Sequence, residues 1–495
     1  MWEKLKKIIS CVIAAAVTVS MLGYMTDLLE RKDSDLKYQD FFDQDEEFDV
    51  LFMGTSHVIN AVYPMELWKD YGIVSYNFGG HSNQFATTYW VMENALDYTK
   101  PKLMVIDCLT LSGAWKCSDI FSYMHLSLDA FPLSVTKVRA VWDLLDDPVL
   151  QEAIDNGKAR ESDEPRTKIG LLWDYSAYHS RWNEVKESDF NPVPQREKGA
   201  ESRINLVQAG FNKIPREKKI EGGTVGEEYL CRMIEDCQKR NIEVLLTYLP
   251  FPAGEGQQME ANRVYDIAEK YGVDYINFLD LDIVNYGVDC FDANSHLNPS
   301  GARKVTKYLG QYITEHYGIE DKRSNADYEF WNTDYSEYEA MKDSNIKAQS
   351  SIVNYPMLLS GDKINVIIEV RNKDVFKNQL MLNLFRNMGV NTDELGDNTD
   401  IILIKNGGEK AWVFNDFKTS GGSADTELGR IYISGERNGY YDIMLNERKI
   451  FEGNSSENNC MKIAVYRSGE LIDNVKFVYS VNPETTIVNV ASVER

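Results

Sequence analysis

Apolar runs suited to buried strands alternate with helical patterns through the first part of the chain. Strands are expected at 49–53, 73–78 and 102–107, with helices near 64–71 and 84–98 between them. After a long break the alternation resumes. It predicts a helix near 225–240, an apolar strand at 242–249 stopped by Pro250 and Pro252, and a helix at about 257–271 ending on Gly272. A short strand at 273–278 and an amphipathic run from Ala302 to Tyr317 complete it. Strands regularly separated by helices call for a parallel sheet covered on both faces, the three-layer α/β/α class. In such sheets ligands gather at the C-terminal strand ends.

Two other regions follow a different pattern. From about 112 to 215 polar and aromatic stretches replace the alternation, with Trp115, Trp142, Trp173, Trp182 and a charged run from Lys158 to Lys168. This reads as an insertion over the site, its aromatics serving either as a saccharide platform or as ordinary helix packing. His125 and His179, alone in this segment, read as structural. Beyond residue 320 the chain is charged and tyrosine-rich, a linker at 321–354, and 355–495 reads as a second, β-rich α+β domain. Its strands are expected at 366–370, 401–405, 430–434, 440–445 and 461–466, with a helix near 374–388.

Residues 8–25 carry no charge and follow Lys4, Lys6 and Lys7, a length that just spans a bilayer. Lysines before the run and acidic residues from Asp27 to Asp49 after it predict an N-terminal transmembrane helix within 1–27, with the N-terminus in the cytoplasm and the bulk of the chain outside. A cleaved signal peptide is the competing reading, supported by Ala14-Ala15-Ala16, but the apolar run continues well past those residues. With 43% hydrophobic residues the chain can build sizeable cores, and its formal charge of −24 excludes a nucleic-acid partner. The cysteines fit no metal spacing, so no metal or cofactor is expected.

Candidate chemistry sits at two distant places. In Asp49-Val-Leu-Phe-Met-Gly-Thr-Ser-His57 a strand-like run ends in a small-residue turn presenting Ser56 as a nucleophile. In Phe291-Asp292-Ala293-Asn294-Ser295-His296-Leu297-Asn298-Pro299, just ahead of the last helix, His296 is the general base and Asp292 the nearest residue to orient it. His57 and His81 each lie beside a motif and are assigned no role as base.

Together with Tyr76-Asn77-Phe78-Gly79-Gly80-His81-Ser82-Asn83-Gln84, these stretches resemble the SGNH/GDSL hydrolase superfamily over residues 46–320. Within it the chain looks most like the membrane-anchored members that modify cell-surface polymers, the alginate O-acetyltransferases and the teichoic-acid D-alanine transfer proteins. The resemblance implies a flavodoxin-like parallel sheet and an oxyanion site built from Gly79 or Gly80 and a side-chain amide of Asn83 or Gln84. Two departures stand out. The aspartate lies four residues before the histidine where the family has three, and Asp107-Cys108-Leu109-Thr110 stands where the family's third block carries an asparagine.

The expected function is therefore a membrane-anchored serine esterase or O-acyltransferase acting on acyl esters of a cell-surface polysaccharide. An acyl-exporting membrane protein is the partner the resemblance implies. The alternative is a surface glycan-binding or assembly protein that keeps the fold without catalysis, for which the two departures are the ground.

Overall fold

The computed structural model of the chain describes residues 2–29, 38–42, 47–160, 166–191, 196–293, 296–396, 400–407, 410–454 and 456–495. Positions 161–165 of the charged run, and Asn294 and Ser295 of the histidine motif, lie outside the described residues. Five strands, Val50–Thr55 (β1), Ser75–Gly80 (β2), Leu103–Asp107 (β3), Glu243–Tyr248 (β4) and Asp274–Asn277 (β5), pair in parallel in the order β2-β1-β3-β4-β5. The chain moves from β1 to β2 on one side and then to β3 on the other. This order has its topological switch point between β1 and β3, where a crevice opens beyond the C-terminal strand ends.

Alternate strand residues enter two separate cores. Leu51, Met53, Met104, Ile106 and Leu246 pack with Val91, Met92, Leu230, Ile234 and Val264, while Val50, Phe52, Val105 and Leu245 pack with Val305, Leu309 and Ile313 on the opposite face. Burial on both faces explains why these strands read as continuous apolar runs.

The apolar N-terminal segment forms a helix, Trp2–Leu29 (α1), long and apolar enough to cross a membrane. The helices that follow are Ser56–Ala61 (α2), Pro64–Tyr71 (α3), Phe85–Ala95 (α4), Val225–Lys239 (α5), Glu255–Tyr271 (α6) and Pro299–His316 (α7). Their boundaries follow local chemistry. Thr224 caps α5 by accepting from Glu227 N, Asn298 caps α7 ahead of Pro299, and Gly72 closes α3 at φ 68°.

The insertion folds as short helices, among them Ser122–Leu128, Val135–Leu145, Lys168–Leu172, Asp174–Tyr178 and Glu187–Phe190. Met124, Leu128, Val141 and Leu144 join the core on the α4 face. Its tryptophans divide: Trp115 is packed against that core, whereas Trp142, Trp173 and Trp182 are exposed, so core packing accounts for only the first.

The expected linker is largely one helix, Phe330–Ala348 (α8). Its Trp331 and Tyr338 are buried in the α/β core and its Ile346 in the core of the C-terminal region. Lys342 on the same helix reaches Glu66 Oε1 at 2.8 Å and Asp362 Oδ1 at 3.4 Å. Arg467 donates to Asp362 Oδ2 at 2.9 Å, and Arg303 of α7 donates to the carbonyls of Leu358 and Ser360 at 2.8 and 2.9 Å. Burial alone would raise the Asp362 pKa, but Lys342, Arg303 and Arg467 together hold its carboxyl well below the usual range.

Beyond α8 the C-terminal region contains two antiparallel sheets. Asn365–Arg371 (β6), Asp400–Asn406 (β7), Lys410–Phe414 (β8), Cys460–Arg467 (β13), Glu470–Val481 (β14) and Val488–Glu494 (β15) form one, in the order β15-β14-β13-β6-β7-β8. Gly422–Thr426 (β9), Gly429–Ile433 (β10), Tyr440–Leu445 (β11) and Arg448–Asn454 (β12) form the other. Ile367, Ile402, Ile404 and Ala464 of the larger sheet meet Ile431, Tyr441 and Ile443 of the smaller, and helix Gln379–Asn387 (α9) packs in the core on the larger sheet's other face.

Candidate active site

Sequence reasoning places Ser56 in a turn ahead of a helix at Pro64. The structure corrects this: β1 continues through Gly54 to Thr55 and passes directly into α2, with Ser56 as the first helical residue. Thr55 keeps an extended backbone and its Oγ1 accepts from His57 N at 3.2 Å, an N-cap arrangement. Gly54 sits at φ 153°, where a Cβ would lie 2.7 Å from Val58 Cγ2 and 3.0 Å from Asp107 Cβ. Ser56 is thereby presented at the end of β1, beside the switch point, on a helix terminus whose leading N–H groups have no acceptor within the helix.

A six-residue helix has little stability of its own. Here Asn77, fully buried in β2, donates through Nδ2 to the carbonyls of Val58 at 2.8 Å and Val62 at 2.9 Å and so ties the helix to the sheet. Asn77 was not among the predicted site residues; an amide inside an apolar strand was the available signal.

His296 lies across from Ser56 although the two are 240 positions apart, its Nε2 2.9 Å from Ser56 Oγ. Its Nδ1 is 2.6 Å from Asp292 Oδ2, and Asp292 Oδ1 also accepts the His296 backbone N–H at 3.2 Å. The four-residue offset suits this loop. Phe291 N donates to His296 O at 2.9 Å and Cys290 bridges Leu297, so the chain doubles back and sets Asp292 beside the imidazole.

That loop is held from three sides. Asn298 Nδ2 donates to Val288 O at 2.8 Å and Cys290 O at 3.2 Å while its Oδ1 caps α7. Asp289, wholly buried, accepts from Ser300 Oγ at 2.8 Å, Lys304 Nζ at 2.6 Å and Asn387 Nδ2 at 3.0 Å. Asn387 belongs to α9, so the C-terminal region touches the support of the His296 loop. The extended segment after Glu201 forms the third side, with Val207 N donating to Cys290 O and Ala209 N to Tyr286 O, each at 3.0 Å. Between that segment and residues 279–287 opens a cavity of about 660 Å³, lined by Phe211, Lys213, Asp280, Asp282, Asn285 and Tyr286 among others.

The four predicted oxyanion residues fare differently. Gly79 and Gly80 end β2 and are buried; the Gly79 N–H is taken by Asn77 Oδ1 at 3.0 Å. The Asn83 amide lies against Gly80, where a Cβ would stand 2.1 Å from Asn83 Nδ2. Asn83 Oδ1 accepts from Ser127 Oγ at 2.7 Å, and Asn83 Nδ2, though buried, has no hydrogen-bond partner among the described residues. Gln84 turns toward the loop after β3, its Oε1 2.6 Å from where a Gly113 Cβ would be. Geometry thus separates the two amides: Asn83 offers a fixed, unused donor.

His57 forms a wall of the site. Its ring packs edge-on against Phe251 at 4.4 Å and lies 5.5 Å from the His296 ring. Burial, and then the neighbouring His296, push its pKa down to about 3, leaving it neutral at any working pH. The His81 ring lies tilted against Tyr123, its centroid 5.9 Å away. His125 pairs with Asp129 Oδ2 at 2.8 Å, where Tyr178 Oη also donates, and His179 Nδ1 lies 3.0 Å from the Ser176 carbonyl.

Asp107 ends β3, where the resemblance anticipates an asparagine block. One carboxylate oxygen accepts from Leu249 N at 2.8 Å and the other has no partner among the described residues. Burial raises its pKa to about 7. Among the described residues no group of three or more histidine, cysteine or carboxylate side chains could hold a metal, and the seven cysteines are unpaired. No family model matches the chain, and no curated protein or solved structure does either.

Proposed function

We propose that the chain is a membrane-anchored serine esterase or O-acyltransferase of SGNH-like type, working outside the cytoplasm on acyl esters of a cell-surface glycan. The observation that carries the reading is the hydrogen-bonded chain Ser56–His296–Asp292, at 2.9 and 2.6 Å. A hydroxyl, an imidazole and a carboxylate in that order are what nucleophilic acyl transfer requires. Ser56 Oγ attacks the ester carbonyl as His296 Nε2 takes its proton, and Asp292 steadies the imidazolium. The oxyanion is met by the Ser56 N–H and Asn83 Nδ2. Collapse expels the alcohol, which receives the proton from His296, and leaves an acyl-Ser56 ester. Water resolves that ester in hydrolysis; a sugar hydroxyl, deprotonated by the same His296, resolves it in transfer.

The catalytic reading draws support from the contact of Asp292 with His296 Nδ1, since the four-residue offset still brings the carboxylate to the imidazole. The glycan assignment draws support from the cavity beside the His296 loop, where Phe211 and Tyr286 rings 5.1 Å apart stand among carboxylate and amide groups. The test is a fluorophosphonate probe on the full chain in detergent, read by peptide mapping. Labelling at Ser56 that is lost in His296→Ala is expected. A folded chain that stays unlabelled in the presence of membranes and acyl donor overturns the reading.

A further inference from the structure

The membrane anchor does not stand apart from the rest of the chain. The end of α1 packs against residues 174–190 of the insertion: Leu29 is buried, and Arg181 Nη1 donates to the Leu29 carbonyl at 3.0 Å. Around this junction the insertion leaves large apolar side chains in the open. Trp182 is 71% exposed, Ile169 56%, Phe190 54%, Trp142 49% and Trp173 45%. Helix Lys168–Leu172 packs on both Val135–Leu145 and Asp174–Tyr178, so these residues belong to neighbouring elements that run up to the end of α1. Exposed apolar patches of this kind mark a surface that something covers.

We infer that this face of the insertion lies in the bilayer interface, as a second, peripheral attachment beside α1; the inference rests on the membrane-anchored reading above. Three observations choose lipid as the occupant. The patch is continuous with the end of a helix of membrane-spanning length, which places it at headgroup level. Its exposed aromatics are mainly tryptophan, the residue that partitions to the headgroup region. In a chain of charge −24, residues 166–190 are balanced, with four cations, Arg166, Lys168, Arg181 and Lys186, and four carboxylates, Asp174, Glu184, Glu187 and Asp189, so this face lacks the net negative charge that would repel an anionic lipid surface. Lys168 Nζ stands 4.9 Å from the Trp142 ring, placing an ammonium beside an aromatic that would enter the interface.

The attachment also sets where the chemistry happens. Tyr178 Oη donates to Asp129 Oδ2 at 2.5 Å, and Ser127, two residues earlier, holds the Asn83 amide. The docked face is thus joined by short contacts to the proposed oxyanion site, which keeps Ser56 close to the membrane surface.

The test reconstitutes the full chain into phosphatidylglycerol-containing liposomes with brominated acyl chains and reads tryptophan quenching. Trp182→Phe and Trp173→Phe keep the apolar character and are expected each to lose part of the quenching. Lys168→Glu with Lys186→Glu is expected to weaken it further in anionic than in neutral vesicles. Carbonate-resistant pelleting of the same samples reports on α1 alone. Resistant pelleting with bromolipid quenching unchanged in both tryptophan variants overturns the docked face while leaving the anchor intact; loss of pelleting would instead remove the anchored reading. Protection of these tryptophans only when a membrane protein is co-reconstituted assigns the face to protein and also overturns the proposal.

Discussion

Replacing Asn83 by alanine tests the proposed chemistry most directly. Asn83 is 2% exposed, its Oδ1 is fixed by Ser127, and its Nδ2 has no hydrogen-bond partner among the described residues. An unsatisfied buried donor costs about 1–3 kcal/mol in the resting protein. An oxyanion at Ser56 would satisfy it only once the tetrahedral intermediate forms, which is the condition for rate acceleration by differential binding. Removing one such donor lowers kcat by about 10²–10³, equivalent to about 2.7–4 kcal/mol. Because the bond is absent in the ground state, kcat and kcat/KM should fall together. Stability should change little: the variant discards an orphaned donor but deprives the Ser127 hydroxyl of its acceptor, terms of about 1 kcal/mol and opposite sign. The assay is hydrolysis of 4-nitrophenyl acetate, with thermal melting alongside. Gln84→Ala, whose side chain lies toward Gly113, serves as the control and should stay near native. If Asn83→Ala retained kcat within about tenfold of native while His296→Ala was inactive, the oxyanion assignment would be refuted.

Three further outcomes follow from the geometry. Asp292→Asn should lower kcat by roughly 10²–10⁴ without unfolding the chain, since it leaves a carbonyl to accept the His296 N–H but loses the charge that steadies the imidazolium; initial rates and circular dichroism check it. Asn387→Ala, remote in sequence, should cost roughly tenfold to a hundredfold in kcat by loosening Asp289 and the His296 loop, and restoration by Asn387→Gln would not be expected. Asp107 titrates at about 7 when folded and near 3.8 when unfolded, so the folded chain binds the extra proton. Its contribution is present below the unfolded pKa and is lost as pH rises through about 7, amounting to about 4 kcal/mol. Asp107→Asn should therefore raise the melting temperature more at pH 8 than at pH 5; an equal rise at both would show that Asp107 is already ionised.

The strands of the α/β sheet were legible because burial on both faces leaves residues such as Leu51–Met53 and Val244–Leu246 no polar alternation to confuse the pattern. The helix at Ser56 was not, since six residues give too little periodicity and its stabiliser, Asn77, lies in another element. Ser56 and His296 could be paired because each stands in a short motif with its own chemistry. Asp289 and Asn387 could not, because neither touches the reacting groups and their contact joins residues 98 positions apart. In the C-terminal region β6, β7 and β13 were found as dense β-branched runs. The hairpin strands β9 and β12 were missed because Gly422–Thr426 and Arg448–Asn454 are rich in glycine and polar residues and read as loop.

The charges gathered at Asp362 bear on how the chain can be dissected. Glu66 and Arg303 belong to the α/β body, Lys342 to α8, and Asp362 and Arg467 to the C-terminal region, so the contacts that Lys342 and Arg303 make with Asp362 cross boundaries that sequence reading would use for cutting. Parting a buried ion pair by removing one member costs about 3–5 kcal/mol, a large share of a typical folding free energy. A fragment ending near residue 354 would retain Arg303 and Lys342 without Asp362, and would lose the Asn387 brace as well. Heating the intact chain should accordingly give one calorimetric transition for both bodies, and an inactive truncation would report a damaged α/β body before it reported a missing binding function.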